Sequence, residues 1–592
     1  MLKLPSRHLT AAVCAAAISM ASGATPATPS PANSYLIHNL VSDLPDTADF
    51  QDPNLINPWG LATTATSPFW IGNNGTGTST LYGTTGTPVA LVVTIPTTTG
   101  PTGGAVSGTI ANTTTSFTVA TGKAASFIFC TEDGTVSGWN SSVNPTAAIV
   151  TVDNTKANAV FKGCVIGGTA AAPVLYVTDF HNGLVDMFDA NFKPITPVAK
   201  AFTDGSIPAG FAPFGIANFG GQIYVSYAKQ DSAKHDDVAG AGNGYVDVFD
   251  ASGNLVTQLI SKGALNSPWG MQIAPATFGQ FSGALLVGNF GDGTINAFDK
   301  TKGTPLGTLN DSTGHVLSIP GLWGLLFGNG GRGGDTSTLY FTAGVPGPYG
   351  EGAESHGLFG SIQAPPSFTS TGIVNGASFQ PSLAPNTWGM ITGGGLAASS
   401  RSWASTDLVG GALPTSIDNV SVTVNGVAAE ISFVGPSQID FLIPPTAAVG
   451  AAQIQVISNE QASAVATVNL TLTAPGLFYL TGNKYVVSTH ANGTVTGPTT
   501  LIPGSTTPIK GGETISIFGT GLTVNTPGVG TAALPTVTIG GLTAQVTFAG
   551  QINAGVTQIN LVVPAGLPSG DVAVIATMGG QQSQANAFLS AQ

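Results

Sequence analysis

The chain has 592 residues, with 16 Lys and Arg against 29 Asp and Glu, a formal net charge of −13, and 8% charged residues where soluble proteins average roughly 25%. With no basic cluster it has no footprint for nucleic acid or an anionic membrane, since both are bound through Lys and Arg. Gly 80 and Pro 39, without a collagen period or a charge-driven disorder signature, predict short strands joined by tight turns, in more than one domain.

Residues 1–23 read as a secretory signal peptide. Lys3, Arg7 and His8 precede an apolar run from Leu9 to Met20, and the small residues Ala21, Ser22, Gly23 and Ala24 follow. Cleavage near Gly23 predicts an exported protein, extracellular or periplasmic. Cys14 follows Val13, not a small residue, so lipid anchoring is not expected. No later stretch reaches the roughly 18 apolar residues of a membrane helix, so no transmembrane segment is expected.

Residues 33–363 carry a repeat. Gly60, Gly103, Gly163, Gly215, Gly270 and Gly324 stand at strand starts, in contexts such as Pro58-Trp59-Gly60, Phe161-Lys162-Gly163, Pro213-Phe214-Gly215 and Leu322-Trp323-Gly324. A period near fifty residues signals radial or solenoid repetition. Each start leads into an alternating strand, a turn and a second alternating strand, as from Leu175 through His181-Asn182-Gly183 to Phe188. A further strand per unit, for example Val89 to Ile95, makes four strands six times over: a six-bladed β-propeller. The strand missing from the last unit is expected at Tyr35 to Val41, latching the ring. Trp59, Trp269 and Trp323 are expected to pack as wedges between blades.

Cys130 and Cys164 remain once the signal is removed, either as one disulfide or as two buried thiols on separate strands. Two cysteines without nearby His are too few ligands for zinc. Residues 364–372, rich in Pro, Ser and Thr, read as a linker. A second repeat follows: the segment from Val422 to Ala429 matches that from Val537 to Ala544, and each leads to a Gln-Ile pair and an apolar strand ended by Pro444 or Pro564. Residues 373–475 and 476–592 therefore predict two tandem immunoglobulin-like β-sandwich lobes, and the fold class is all-β.

The runs Asn57-Pro58-Trp59-Gly60-Leu61-Ala62, Thr178-Asp179-Phe180-His181-Asn182-Gly183, Ala228 to Asp231 with Lys234 to Asp237, and Gly288 to Gly293 resemble an uncharacterised family of exported bacterial six-bladed propellers. Some of its members carry a PEP-CTERM sorting tail, which the end of this sequence, Ala587 to Gln592, does not resemble. From Ile373 onward the chain resembles a domain of unknown function common in secreted acidobacterial proteins, whose lobes are similar to the IPT/TIG fold. These resemblances imply a fold and a location, but no catalytic residues.

Two sets of side chains carry candidate chemistry. The hairpins hold Asn73, Glu132, Asp179, Tyr227 and Asn289, with His181 two residues beyond Asp179, an oxygen-rich mix suited to calcium. The plainer reading is that each Asp or Asn caps its own hairpin. The fourth unit carries an insertion from Lys229 to Gly244 with Asp231, His235, Asp236 and Asp237 gathered within seven residues, either a divalent-cation site or a solvated loop. It lacks the spacing of an EF-hand, and the chain has no Gly-x-Ser-x-Gly elbow, phosphate loop or His-Glu-x-x-His motif. The sequence thus predicts a non-catalytic binding or adhesion scaffold for an unidentified extracellular ligand or glycan. Its alternative is a calcium-dependent hydrolase, lactonase or lyase built on Glu132, Asp179, His181 and Asn289.

Overall fold

The computed structural model describes residues 32–196, 199–480, 482, 484–522 and 534–592. The segment 1–23, expected to be a signal peptide, lies outside the described residues. The chain divides into a unit from Pro31 to Pro365 and a unit from Pro366 to Gln592. Both are built of strands, and no helix among the described residues is long and apolar enough to cross a membrane.

The first unit is a six-bladed propeller. Its innermost strands are Pro58–Ala62, Val106–Ala111, Phe161–Thr169, Phe211–Phe219, Pro268–Ile273 and Leu322–Phe327. Each packs on the next, and the sixth returns to the first. Four of the second strands, Phe69–Asn73, Phe127–Thr131, Leu285–Asn289 and Leu339–Ala343, are buried at every position. Both of their faces lie in seams between blades, so they read as apolar runs without alternation. Outer strands such as Pro88–Thr94 have one wet face and a mixed pattern.

Six apolar layers fill the six seams, among them Trp70 with Phe129 between the first two blades and Tyr176 with Val225 between the third and fourth. Hydroxyls sew some seams further. Thr178 donates to the Phe214 carbonyl (2.8 Å), Ser226 to Pro268 (2.6 Å) and Thr342 to Trp59 (2.6 Å), each reaching from a second strand to the next blade's inner strand.

The inner-strand glycines answer to close approach. A Cβ on Gly215 would collide with the Trp269 carbonyl, and one on Gly324 would lie 2.6 Å from the Trp59 carbonyl. Gly103 is not part of this ring: it lies outside the strands with open space around it, and Gly108, pressed against Cys164, holds the position in the second blade. The glycine-rich Gly100 to Gly104 loop drew the sequence alignment forward.

Leu36–Ser42 pairs antiparallel with Leu358–Gln363 and completes the sixth blade, and Phe50–Gln51 adds a short parallel edge. Tyr35, just before this strand, packs its ring against Phe278 and Phe281 of the fifth blade. The third blade departs from the four-strand expectation. Among the described residues it has three, Phe161–Thr169, Ala172–Asp179 and Leu184–Phe188. Pro194, which has no N–H for a ladder, makes only an isolated bridge to Phe188.

The second unit holds two β-sandwich lobes, each with its own core, around Ile431, Ile439 and Val456 in one and Ile517, Ile559 and Val574 in the other. The expected linker is a correction: Ser367–Asn375 is a strand paired with Trp388–Gly394. Its Phe, Ile, Val and Thr residues suit a strand, so only the irregular stretch from Ala364 to Pro366 separates the units in sequence. The internal repeat is one of topology. Glu430–Gly435, Gln438–Leu442 and Gly450–Ser458 of the first lobe correspond to Leu542–Asn553, Val556–Val562 and Gly570–Met578 of the second. The lobes meet through Trp388, whose indole N–H donates to the Ala554 carbonyl (3.0 Å), and Asn386, which donates to Gln551 (2.8 Å).

Candidate functional site at the propeller mouth

Because strands alternate in direction, the hairpins joining second to third strands all emerge on the face where the inner strands begin. In every blade a bulge falls in the inner strand beside its ring glycine, for example between Pro58 and Leu61 or Phe161 and Gly163. The bulged residue is turned out of the ladder toward the axis. These residues are Trp59, Ser107, Lys162, Phe214, Trp269 and Trp323. The residues that follow the Pro58-equivalent pairings, Asn74, Glu132, Phe180, Phe290 and Gly344 at the starts of their hairpins and Ala228 still within its longer strand, form a second tier at the same end.

One sector of these two tiers is aromatic. Trp59 stacks on Trp323 at 3.5 Å between ring centroids, Phe290 stacks on the other side of Trp323 at 4.0 Å, and Trp269 meets both tryptophans edge-on. Trp59 with Trp269 and Phe214 with Trp323 come from blades that are not neighbours, so the tryptophans plug the axis and are not wedges between blades.

The other sector is polar and centres on Lys162, whose side chain is 2% exposed. Its ammonium lies over the Trp59 and Phe180 rings at 5.2 and 5.8 Å, pairs with Glu132 Oε1, and reaches Asp236 Oδ1 at 3.5 Å. From there a chain of bonds runs around the mouth. Asn74 donates to the other Glu132 oxygen (2.7 Å), Asn57 Nδ2 lies 3.5 Å from Asn74 Oδ1, and Asn57 donates to Glu354 (3.1 Å) while accepting from the Trp323 indole (3.2 Å). At the far end His235 Nδ1 sits 2.8 Å from Asp236 Oδ1.

This packing sets proton affinities. Burial, reinforced by the Glu132 carboxylate, pushes Glu354 up to about 7 against the pull of the Asn57 amide. The residue as a whole is exposed, while its carboxylate accepts from Asn57 and its N–H donates to the Gly344 carbonyl. Burial also acts to raise Asp236, but its bond to His235 and the Lys162 charge outweigh this and hold it below the usual carboxylate range. Asp237 is raised, chiefly by burial.

The structure divides the residues expected from the sequence. Glu132 from the second blade converges with His235 and Asp236 from the fourth-blade insertion, their donor atoms all within 4.8 Å of one another. Asp179 instead accepts from Val160 N and from Asn182 of its own hairpin, Asn289 donates to Asp292 and Thr294, and Asn73 donates to Thr78 and Thr80. Tyr227 is buried within its strand, His181 is half-buried beside Phe180, and Asp231 braces the turn of its own loop by accepting from His235 N. Asp179, His181, Asn289 and Glu132 therefore do not form one cluster.

The reason is register. Asn73, Asp179, Tyr227 and Asn289 pair with Pro58, Phe161, Pro213 and Pro268, and the residue so placed in the second blade is Thr131, opposite Val106. Glu132 lies one residue further on, and in a strand a one-residue step changes the face. The insertion likewise begins at Gln230, since Lys229 still belongs to the strand Gln222–Lys229.

Sequence reasoning missed Asn57, Asn74, Lys162 and Glu354. Lys162 carried a signal: a charged residue stands where four other repeats have Trp or Phe. Cys130 and Cys164 form a disulfide between the second and third blades, with Cα atoms 6.5 Å apart.

No protein-family model matches the chain. Among solved structures, a streptogramin B lyase is similar at 9% identity, covering 56% of this chain and 98% of that one with a TM-score of 0.33. A glucose dehydrogenase is similar at 13% identity, covering 56% and 99%, again with a TM-score of 0.33. Likeness at this level brings neither activity to the chain. Two relatives are uncharacterised proteins of Acanthamoeba polyphaga mimivirus. One is 35% identical over 300 residues, which is 49% of this chain and 73% of its own length. The other is 33% identical over 322 residues, or 52% and 82%. With most of both relatives matched at about a third identity, the chain belongs to the same family as these two mimivirus proteins.

Proposed function

We propose that the protein is an exported binding scaffold whose propeller takes a polar, hydroxyl-rich ligand such as a glycan at this mouth, with the sandwich lobes, taken as IPT/TIG-like, serving as spacer or adhesion modules. One observation carries the reading. Amide, carboxylate and ammonium groups from Glu354 to His235 line one sector of the mouth as an unbroken set of donors and acceptors, beside an aromatic sector that includes the half-buried rings of Trp269 and Phe290. A few convergent polar groups against aromatic surface is the usual make-up of a small-ligand site. Lys162 offsets one of the two carboxylate charges of Glu132 and Asp236, leaving acceptor oxygens for the hydroxyls of a neutral ligand. Glycan-array binding by the mature protein, abolished by Asn74→Ala and retained in Asp418→Asn of the first sandwich lobe, tests this. A blank array with a folded protein retires it.

A second reading is favoured by the Glu132, His235 and Asp236 cluster together with Glu354, whose proton affinity near neutrality suits a general acid or base. In it the mouth is a metal-assisted hydrolase or lyase. The imidazole makes zinc or manganese a better match than calcium, which prefers oxygen ligands throughout. Metal analysis of purified protein decides it: a stoichiometric metal lost in His235→Ala supports the enzyme, and metal-free protein that gains no thermal stability from added zinc, manganese or calcium removes it.

A further inference from the structure

The hairpin from Gln230 to Gly244 is the long one of the fourth blade, and it leans over the third blade as far as Glu132 of the second. Its two limbs are held differently. The far limb is fixed: Gly240 N donates to Asn266 (2.6 Å) and Gly242 N to the Leu265 carbonyl (2.9 Å). The tip, Asp231 to Asp237, is a turn closed on itself, with Asp231 accepting from His235 N and its own N–H donating to the Asp236 carbonyl. Ser232 to Asp236 are exposed, and the tip contributes no side chain to an apolar core. What joins it to the mouth is the 3.5 Å contact of Asp236 with Lys162, helped at the base by Gln230 donating to the Phe180 carbonyl (2.5 Å).

The docked tip also carries a cost. One carboxylate oxygen of Asp237 is buried with no hydrogen-bond partner among the described residues, and such a group is relieved by reaching water. Movement of the tip is therefore confined to the segment before the pinned limb at Gly240 and Gly242. A tip held by one exposed charge contact and a few hydrogen bonds at its base, without buried apolar contacts, belongs to the low-stability end of a fold.

We propose that this hairpin is a lid over the mouth, latched by Asp236 on Lys162, and that opening it bares the Lys162 ammonium and its Trp59 and Phe180 floor to an incoming ligand. The ligand clause rests on the binding reading above. The lid itself is tested without any ligand, so the two fail separately.

The experiment is amine acetylation of the mature, disulfide-intact protein, with the rate at Lys162 read by peptide mass spectrometry against exposed Lys123. The wild type at low salt should label Lys162 slowly. Asp236→Asn should speed it about fivefold, the scale of a half-exposed ion pair, and Asp236→Lys should speed it more, since the new charge repels Lys162. Wild type in about 1 M salt, where screening acts within about 3 Å, should also speed up, with its fold not in question. Equal Lys162 rates in all four samples overturn the lid. A rise confined to the two variants, with salt without effect, overturns it too, because it marks unfolding and not release of a latch.

Discussion

Cys130 is bonded to Cys164, and the bond lies two residues from each partner of the Glu132–Lys162 ion pair, so one covalent link and one charge pair tie the same two blades at the axis. The disulfide closes a separation of 34 residues, which in the chain-entropy picture stabilises by about 3 to 4 kcal/mol. Reduction, or Cys164→Ser, should lower the urea midpoint by a corresponding amount and loosen the seam between blades two and three. Denaturation with and without reductant measures it.

Glu132 and Asp236 share one cation but should differ sharply in worth. Glu132→Gln leaves the buried Lys162 ammonium with its exposed partner alone, and breaking a buried pair costs about 3 to 5 kcal/mol. Asp236, 69% exposed in its side chain, should cost no more than about 1 kcal/mol when changed to Asn. The double variant Glu132→Gln/Lys162→Met should recover much of the first loss. Equilibrium unfolding of the three variants reads the order directly.

Asp247 of the fourth blade is wholly buried, next to the Tyr227 hydroxyl, which favours its charged form but does not outweigh burial. Burial, with the Asp204 charge second, raises it to about 7. The folded protein therefore binds this proton more tightly than the unfolded chain, whose Asp titrates near about 3.9. Its contribution is full below about pH 4, falls as pH rises toward about 7, and is flat beyond. Asp186, raised to about 6, acts in the same sense. Melting temperature should drop between about pH 4 and 7, and Asp247→Asn should flatten that slope and be the more stable protein at pH 8 by a few kcal/mol.

Gly215→Ala places a methyl against the Trp269 carbonyl, a backbone atom that cannot swing aside. A loss of about 2 to 3 kcal/mol is expected, against a small effect for Gly103→Ala, where a positive φ is the only strain. Thermal melts of the two variants compare them.

The ring itself was legible because the repeats print a strand start with a glycine, five of the six read in place, and because Leu36 to Ser42 supplies a strand where the last unit lacks one. The site was legible only in part. Glu132 was read one position out of register, since a tight turn in the second blade hides which residue ends the strand. Lys162 was masked by alignment with aromatic residues, and its role emerges only when the axis brings it beneath a loop some seventy residues further on. Glu354 sits in a Gly- and Pro-rich hairpin with no periodic pattern, and what turns its carboxylate inward is Asn57, at the opposite end of the propeller sequence.

The closing strand has a consequence for biogenesis. Ser42 donates its hydroxyl to the Gly357 carbonyl, 315 residues later, so the segment made first waits for its neighbour until the rest of the ring has emerged. Until then the chain presents an unsatisfied apolar strand at one end and an open sheet at the other, each a template for pairing with a second nascent copy. Productive assembly must therefore outrun that intermolecular swap, which makes yield sensitive to how crowded newly made chains are.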